Sequence, residues 1–167
     1  MGLAQVDSEI VTSAVSTVTL TGIDSDDVYM VVVNNVIGSA DNNAVRFRVS
    51  TDGTPKTTNY EVAYERIRTD QAYTHHAGAS EPNITIGGGA GTNTGEAVNC
   101  IIYLYNMNDS SSYSYGTFEP SVYMSTPKLE ANTGGFVREV AETNNEIQFH
   151  LQSGNFTSGT FAMYKVT

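Results

Sequence analysis

From Val15 to its last residues the chain is a succession of short runs in which apolar and polar residues alternate, with turn chemistry about every ten residues. A period of two sends successive side chains to opposite faces of an extended strand, so each run offers one face to a core and one to solvent. Strands of this kind bury themselves by stacking sheet on sheet, as in a sandwich or jelly roll. The composition agrees. Only 16 % of the residues are charged, while Ser, Thr and Asn make up about 30 % and 15 residues are Gly. These small polar residues compete for backbone hydrogen bonds and favour strands and turns over surface helices. A helical bundle is therefore disfavoured.

Individual runs sharpen the expectation. Val18 and Leu20 alternate with Thr17, Thr19 and Thr21, a half-buried strand with its threonines outward. Val28-Tyr29-Met30-Val31-Val32-Val33 is a continuous apolar run, which predicts a central strand covered on both faces. Val45, Phe47 and Val49 alternate with Arg46 and Arg48 and end at Asp52-Gly53, which supplies the positive φ of a tight hairpin. Tyr60, Val62 and Tyr64 predict a further strand, with a short helical turn as the alternative. From Arg68 to Gly95 patterning is weak. That stretch, with Gly87-Gly88-Gly89-Ala90-Gly91, predicts a long exposed loop, with at most a short strand at Ile84 and Ile86.

Val98, Cys100, Ile102 and Leu104 share one face of a second central strand, and Asn99, Ile101, Tyr103 and Tyr105 the other. Segments at Tyr113–Phe118 and Phe136–Val140 follow. Ile147, Phe149 and Leu151 turn at Ser153-Gly154-Asn155 and return as Phe161–Val166, a closing hairpin in the core. The expectation is one all-β, jelly-roll-like sandwich of nine or ten strands over residues 13–167, preceded by an arm at residues 1–12. At 167 residues such a domain hides roughly 70 % of its unfolded surface without disulfides or metal.

The formal charge is −10, from 18 acidic and 8 basic residues. Affinity for nucleic acid comes from Lys and Arg displacing counterions, so direct DNA or RNA binding is disfavoured. No stretch approaches a membrane span, and Met1 to Glu9 has neither the basic nor the apolar region of a signal peptide, so a soluble cytoplasmic origin is expected. Without export, the sequons at Asn83, Asn108 and Asn155 carry little meaning. Cys100 is the only cysteine, which precludes an intrachain disulfide, and its apolar setting predicts a buried, unreactive thiol.

No constellation of catalytic residues stands out. Gly87 to Gly91 lacks the spacing, the following Lys-Ser/Thr and the helix of a phosphate loop. Asp24, Asp26 and Asp27 could offer oxygens to a cation, but the run lacks the glycine and distal glutamate of a calcium loop. His75 and His76 point opposite ways on an extended chain and cannot easily share a metal, and His150 sits on a different strand. Neither a placed carboxylate pair nor a G-x-S-x-G nucleophile is present. No enzyme, cofactor or metal is expected. Tyrosine is the unusual residue, with 10 Tyr and no Trp; Tyr103, Tyr105, Tyr113 and Tyr115 flank one Asn/Ser turn. A rigid amphipathic ring among Ser, Gly and Asn is the composition of an adaptable contact surface.

Ser13–Ile23 followed by Val28–Ile37, together with Val45–Val49, Ile102–Asn106, Ser112–Ser114 and Gly154–Phe161, resembles a β-sandwich module of tailed-bacteriophage virion proteins. The similarity spans most of residues 13 to 165, and its motifs are structural rather than catalytic. One departure is Lys165 after Tyr164, where the family often ends Tyr-Gly. The resemblance implies a virion surface protein assembled in the host bacterial cytoplasm. A single domain without a fibrous shaft points to a capsid decoration (cement) protein that binds the major capsid protein or other virion proteins as a homo-oligomer, with a trimer favoured. The alternative is a tail-fibre, adaptor or receptor-binding module gripping host glycan. Leu3, Val6 and Ile10 of the arm and Tyr103, Tyr105, Tyr113 and Tyr115 are the candidate interface residues.

Overall fold

The alternation becomes strands throughout. The computed structural model describes residues 2–167, and over them the chain forms thirteen strands and no helix. They are β1 (Leu3–Val11), β2 (Thr17–Thr21), β3 (Tyr29–Gly38), β4 (Asn43–Thr51), β5 (Thr54–Pro55), β6 (Tyr60–Arg68), β7 (Thr74–Glu81), β8 (Ile84–Ala90), β9 (Val98–Tyr105), β10 (Ser114–Tyr123), β11 (Leu129–Arg138), β12 (Glu146–Leu151) and β13 (Phe156–Val166). Eight strands form one sheet in the order β1-β13-β3-β9-β10-β11-β6-β7. The other five form a second sheet, β2-β12-β4-β5, with β8 also paired to β4. Every pairing is antiparallel.

The core lies between the sheets. Leu20, Val45, Phe47, Ile147 and Phe149 of the small sheet join Val31, Ile102, Phe118, Phe136 and Phe161 of the large one in a single buried cluster. Aromatic contacts tie the layers together: Phe47 meets Phe136 edge-on at 5.3 Å, and Phe149 tilts against Phe161 at 5.0 Å. Such pairs add about 0.5–1.5 kcal/mol beyond the area they bury. Tyr60 is fully buried, yet its hydroxyl accepts from Val49 N at 3.0 Å and donates to Lys56 O at 3.1 Å. Burial pushes its pKa up to about 12, so it stays a neutral donor.

Several expectations are corrected. The strands number thirteen rather than nine or ten. Residues 3–11, read as an arm, run along the chain's own β13 from Leu3 opposite Val166 to Val11 opposite Gly159. Their side chains, five apolar and four polar and most of them exposed, show little periodicity because the segment is held by backbone hydrogen bonds at a sheet edge. Two strands, β7 and β8, occupy the supposed loop. The glycines of β8 are packing residues: a Cβ on Gly87 would lie 2.8 Å from Val122 Cγ2, and Gly89 adopts φ +80° against Met124. Their bareness lets β8 lie close under the large sheet. The closing hairpin does not form either, since β12 pairs with β2 and β4 while β13 crosses to the large sheet between β1 and β3. By contrast the hairpin at Asp52-Gly53 is present, with φ of 49° and 75°, and Tyr60–Arg68 is a strand.

Both edges of the large sheet are irregular. Gln5 and Asp7 of β1 oppose the consecutive residues Tyr164 and Met163, so β1 carries an extra residue at Val6. On the far edge, β7 spends three positions, Glu81 to Gly78, against two of β6. These are β-bulges on the outermost strands.

Candidate functional site

The strongest candidate is the outer face of the large sheet. The inner residues of β3 and β9, Val31, Val33, Cys100, Ile102 and Leu104, are buried in the core. The outer residues of the same strands are Met30, Val32, Ile101, Tyr103 and Tyr105; among the described residues no further layer lies over them, Ile101 and Tyr103 being exposed and the other three half-buried. Strands apolar on both sides normally have both sides covered. Here one side is left open, with Ile101 42 % and Tyr103 37 % exposed.

Register extends this stripe across the sheet. One row runs Gln5, Tyr164, Met30, Tyr103, Thr117, Gly135, Ala63 and Ala77. A neighbouring row runs Tyr105, Tyr115, Val137 and Glu61. Where the first row reaches small residues the surface dips into a shallow trough of about 520 Å³, floored by Ala63, Ala77 and Gly135 and walled by Tyr115 and Val137. A second hollow, about 270 Å³, lies between Leu3, Met30, Tyr103 and Val166.

The structure brings together most of the residues picked from sequence. Leu3, Ile10, Tyr103, Tyr105 and Tyr115 all belong to this face. Val6 does not: the bulge turns it inward against the core, where its Cγ1 lies beside Gly22. Tyr113 is exposed in the turn before β10 rather than on the sheet. Sequence reading missed Met30, Val32, Ile101, Val137 and Tyr164. The signal for Met30, Val32 and Ile101 lies in the two apolar runs, the first of which predicts a strand covered on both faces, whereas Val137 and Tyr164 belong to the later segments Phe136–Val140 and Phe161–Val166.

The other candidates have local explanations. The carboxylates of Asp24 and Asp27 lie 3.7 and 2.7 Å from Lys165 Nζ. A hydrogen bond from Tyr29 and then the Lys165 charge hold the Asp24 carboxyl below its usual range; for Asp27 the hydrogen bonds from Lys165 and Ser25 do so. Their oxygens thus serve a protein cation, and Asp26 is exposed beside them. His76 stacks on Tyr64 with centroids 4.7 Å apart, while His75 stands opposite Glu65. Cys100 is buried, and desolvation pushes its thiol up to about 12, which keeps it from forming the reactive thiolate. Among the described residues no cluster of His, Cys, Asp or Glu has metal-binding geometry, and no helix is long and apolar enough to cross a membrane.

The outer face of the small sheet is different in kind. It carries Thr17, Thr19 and Thr21 of β2, Glu146, Gln148 and His150 of β12, and Arg46 and Arg48 of β4. No large exposed hydrophobic residue lies on it.

No family model matches the chain, and no curated protein sequence matches it.

Proposed function

We propose that this chain is a non-enzymatic structural protein of a bacteriophage particle surface, a capsid decoration protein whose large sheet docks face-on against the major capsid protein. The observation that carries the docking is the uncovered apolar side of β3 and β9, with Tyr103, Tyr105 and Tyr115 across it. Eight strands about 4.8 Å apart and at least eight residues long give a face of roughly 1,000 Å². A standard interface buries about 800 Å² on each partner, so the face is large enough for a stable contact.

The phage assignment rests on the sequence resemblance. Two physical points support it. A net charge of −10 repels packaged DNA and suits the outside of a particle. Successive strands that change sheets, as β2 to β3, β3 to β4 and β12 to β13 do, support a jelly-roll-like arrangement. Within this reading the N-terminal segment contributes Leu3 and Ile10 to the docking face as part of a strand. Self-association as a trimer belongs to the same proposal.

Cryo-electron microscopy of the parent particle, with recombinant chain added to bare capsids, tests this. Density at symmetric capsid positions with the large sheet inward, lost in Ile101→Lys, is the expected result. Density confined to the tail, together with glycan binding that Ile101→Lys leaves intact, overturns it in favour of the receptor-binding alternative. Deleting residues 1–12 is a poor probe, because it strips an edge strand and the buried Val11.

A further inference from the structure

The chain has eight basic residues, and five of them, Lys56, Arg68, Lys128, Arg138 and Lys165, lie within 4.0 Å of a carboxylate. Among the described residues the three without such a partner are Arg46, Arg48 and Arg66. Two of those three stand side by side on the outer face of β4, at positions i and i+2. With 18 acidic residues in the chain, neither member of this pair has a carboxylate within 4.0 Å.

Register supplies the neighbours. His150 stands opposite Arg46, with Thr17 beyond it on β2 and Thr85 on the other side on β8. Gln148 stands opposite Arg48, with Thr19 beyond. Arg48 is anchored: its Nε and Nη2 donate to Gln148 Oε1 at 3.1 and 2.8 Å. Arg46 makes no side-chain hydrogen bond, and its Nε is shut off from solvent without a partner. The same is true of His150 Nε2 on the next strand. Glu146, the one carboxylate on this face of β12, sits at its far end and accepts from Ser50 Oγ at 2.8 Å and Gly53 N at 3.0 Å.

We propose that this face holds a binding site for a small oxyanion, a sulfate, phosphate or carboxylate, gripped by the Arg46 and Arg48 guanidinium groups, with His150 and the Thr17 and Thr85 hydroxyls around it. Guanidinium forks match such oxygens in pairs, and hydrogen bonds to charged groups are the strong ones. His150 Nδ1 lies 3.0 Å from Leu151 O, which can only accept, so Nδ1 carries the hydrogen and Nε2 is the atom left to gain a proton. Burial first, and then the charges of Arg48 and Arg46, lower its pKa. The groups facing it are Thr17 on β2, Arg46 and Arg48 on β4 and Gln148 on its own strand, none of them acidic. An anion seated there restores protonation, so binding strengthens as pH falls through the His150 pKa. The net charge of −10 repels extended polyanions, which restricts the site to compact ligands.

The test is an NMR titration of the full chain with sodium sulfate, sodium phosphate and sodium acetate, each against sodium chloride at matched ionic strength. Saturable shifts centred on residues 17–19, 46–48 and 148–150 are expected, together with a rise in the measured His150 pKa; the three salts rank the ligand. Arg46→Gln should weaken binding about tenfold, Arg46→Lys less, and Arg66→Gln not at all. Shifts that never saturate, that match chloride, or that survive Arg46→Gln in a chain with a native spectrum overturn the site. The His150 measurement needs no variant. Its failure to rise with added anion counts equally against the proposal, whatever the large sheet does.

Discussion

The two outer faces of this sandwich are made by the same rule and finished differently. Among the described residues ten large hydrophobics are well exposed; eight of them, Leu3, Ile10, Ile67, Ile101, Tyr103, Tyr115, Tyr123 and Leu129, lie on strands of the large sheet and none on the small one. The small sheet instead turns out Thr, Gln, His and Arg. Alternation alone would have produced two faces like the second. A polar face shows what this chain does with a sheet turned to water, and the docking proposed above rests on the contrast with the apolar one.

The contrast can be broken most sharply on β9, where neighbouring residues face opposite ways. Ile102→Ala, in the core, should cost about 2–5 kcal/mol in urea unfolding. Ile101→Ser, one residue away, should change stability by less than about 1 kcal/mol while abolishing retention on capsids. If Ile101→Ser destabilises as much as Ile102→Ala, the outer face belongs to a fold element still unaccounted for. On the small sheet, Thr19→Ala should leave both stability, within about 0.5 kcal/mol, and capsid retention unchanged. Loss of retention there would erase the distinction between the faces.

A further effect concerns Lys165 and the two carboxylates beside it. Asp24 and Asp27 have folded pKa values below the ordinary 3.8, so their contribution is complete above that value and disappears as pH falls through the depressed values. Lys165 is raised above 10.5, chiefly by its bond to Asp27, so its contribution is present below 10.5 and lost as pH rises through the raised value. Urea midpoints should therefore fall at both extremes, and Lys165→Met should flatten both limbs; Arg48→Gln, with no carboxylate partner, should flatten neither. The last check is chemical. Native Cys100 should resist iodoacetamide at pH 8 and react only on unfolding, and docking on the opposite side of β9 should slow that reaction further.

Much of this was legible where side chains set the pairing. Alternation of Val45, Phe47 and Val49 with Arg46 and Arg48, and the turn at Asp52-Gly53, map directly onto β4 and its hairpin. Reading failed where backbone or neighbouring layers decide. β1, most of whose side chains are exposed, is defined by hydrogen bonds to β13, which any sequence can make. The glycines of β8 look like a loop because their role, allowing close approach to Val122 and Met124, depends on residues over 30 positions away. The site was half legible. Tyr103, Tyr105 and Tyr115 were found by type, whereas the apolar row beside them was misassigned because a run of Val and Ile does not say whether its second side is covered. Arg46 and Arg48 read only as strand polarity, since the absence of a carboxylate opposite them depends on strand order.

The bulges on β1 and β7 set a limit on growth. A sheet of eight strands with straight edges would recruit further copies strand by strand, building an open ribbon without a natural end. Here each outermost strand is kinked by an added residue, and Asp7 and Glu9 place negative charge along the β1 side. Lateral pairing of strands is thereby blunted at both ends. On the docking proposed above, copies of this molecule would lie like tiles on a surface whose symmetry fixes their number, and the blunted edges disfavour strand-by-strand growth into a fibre.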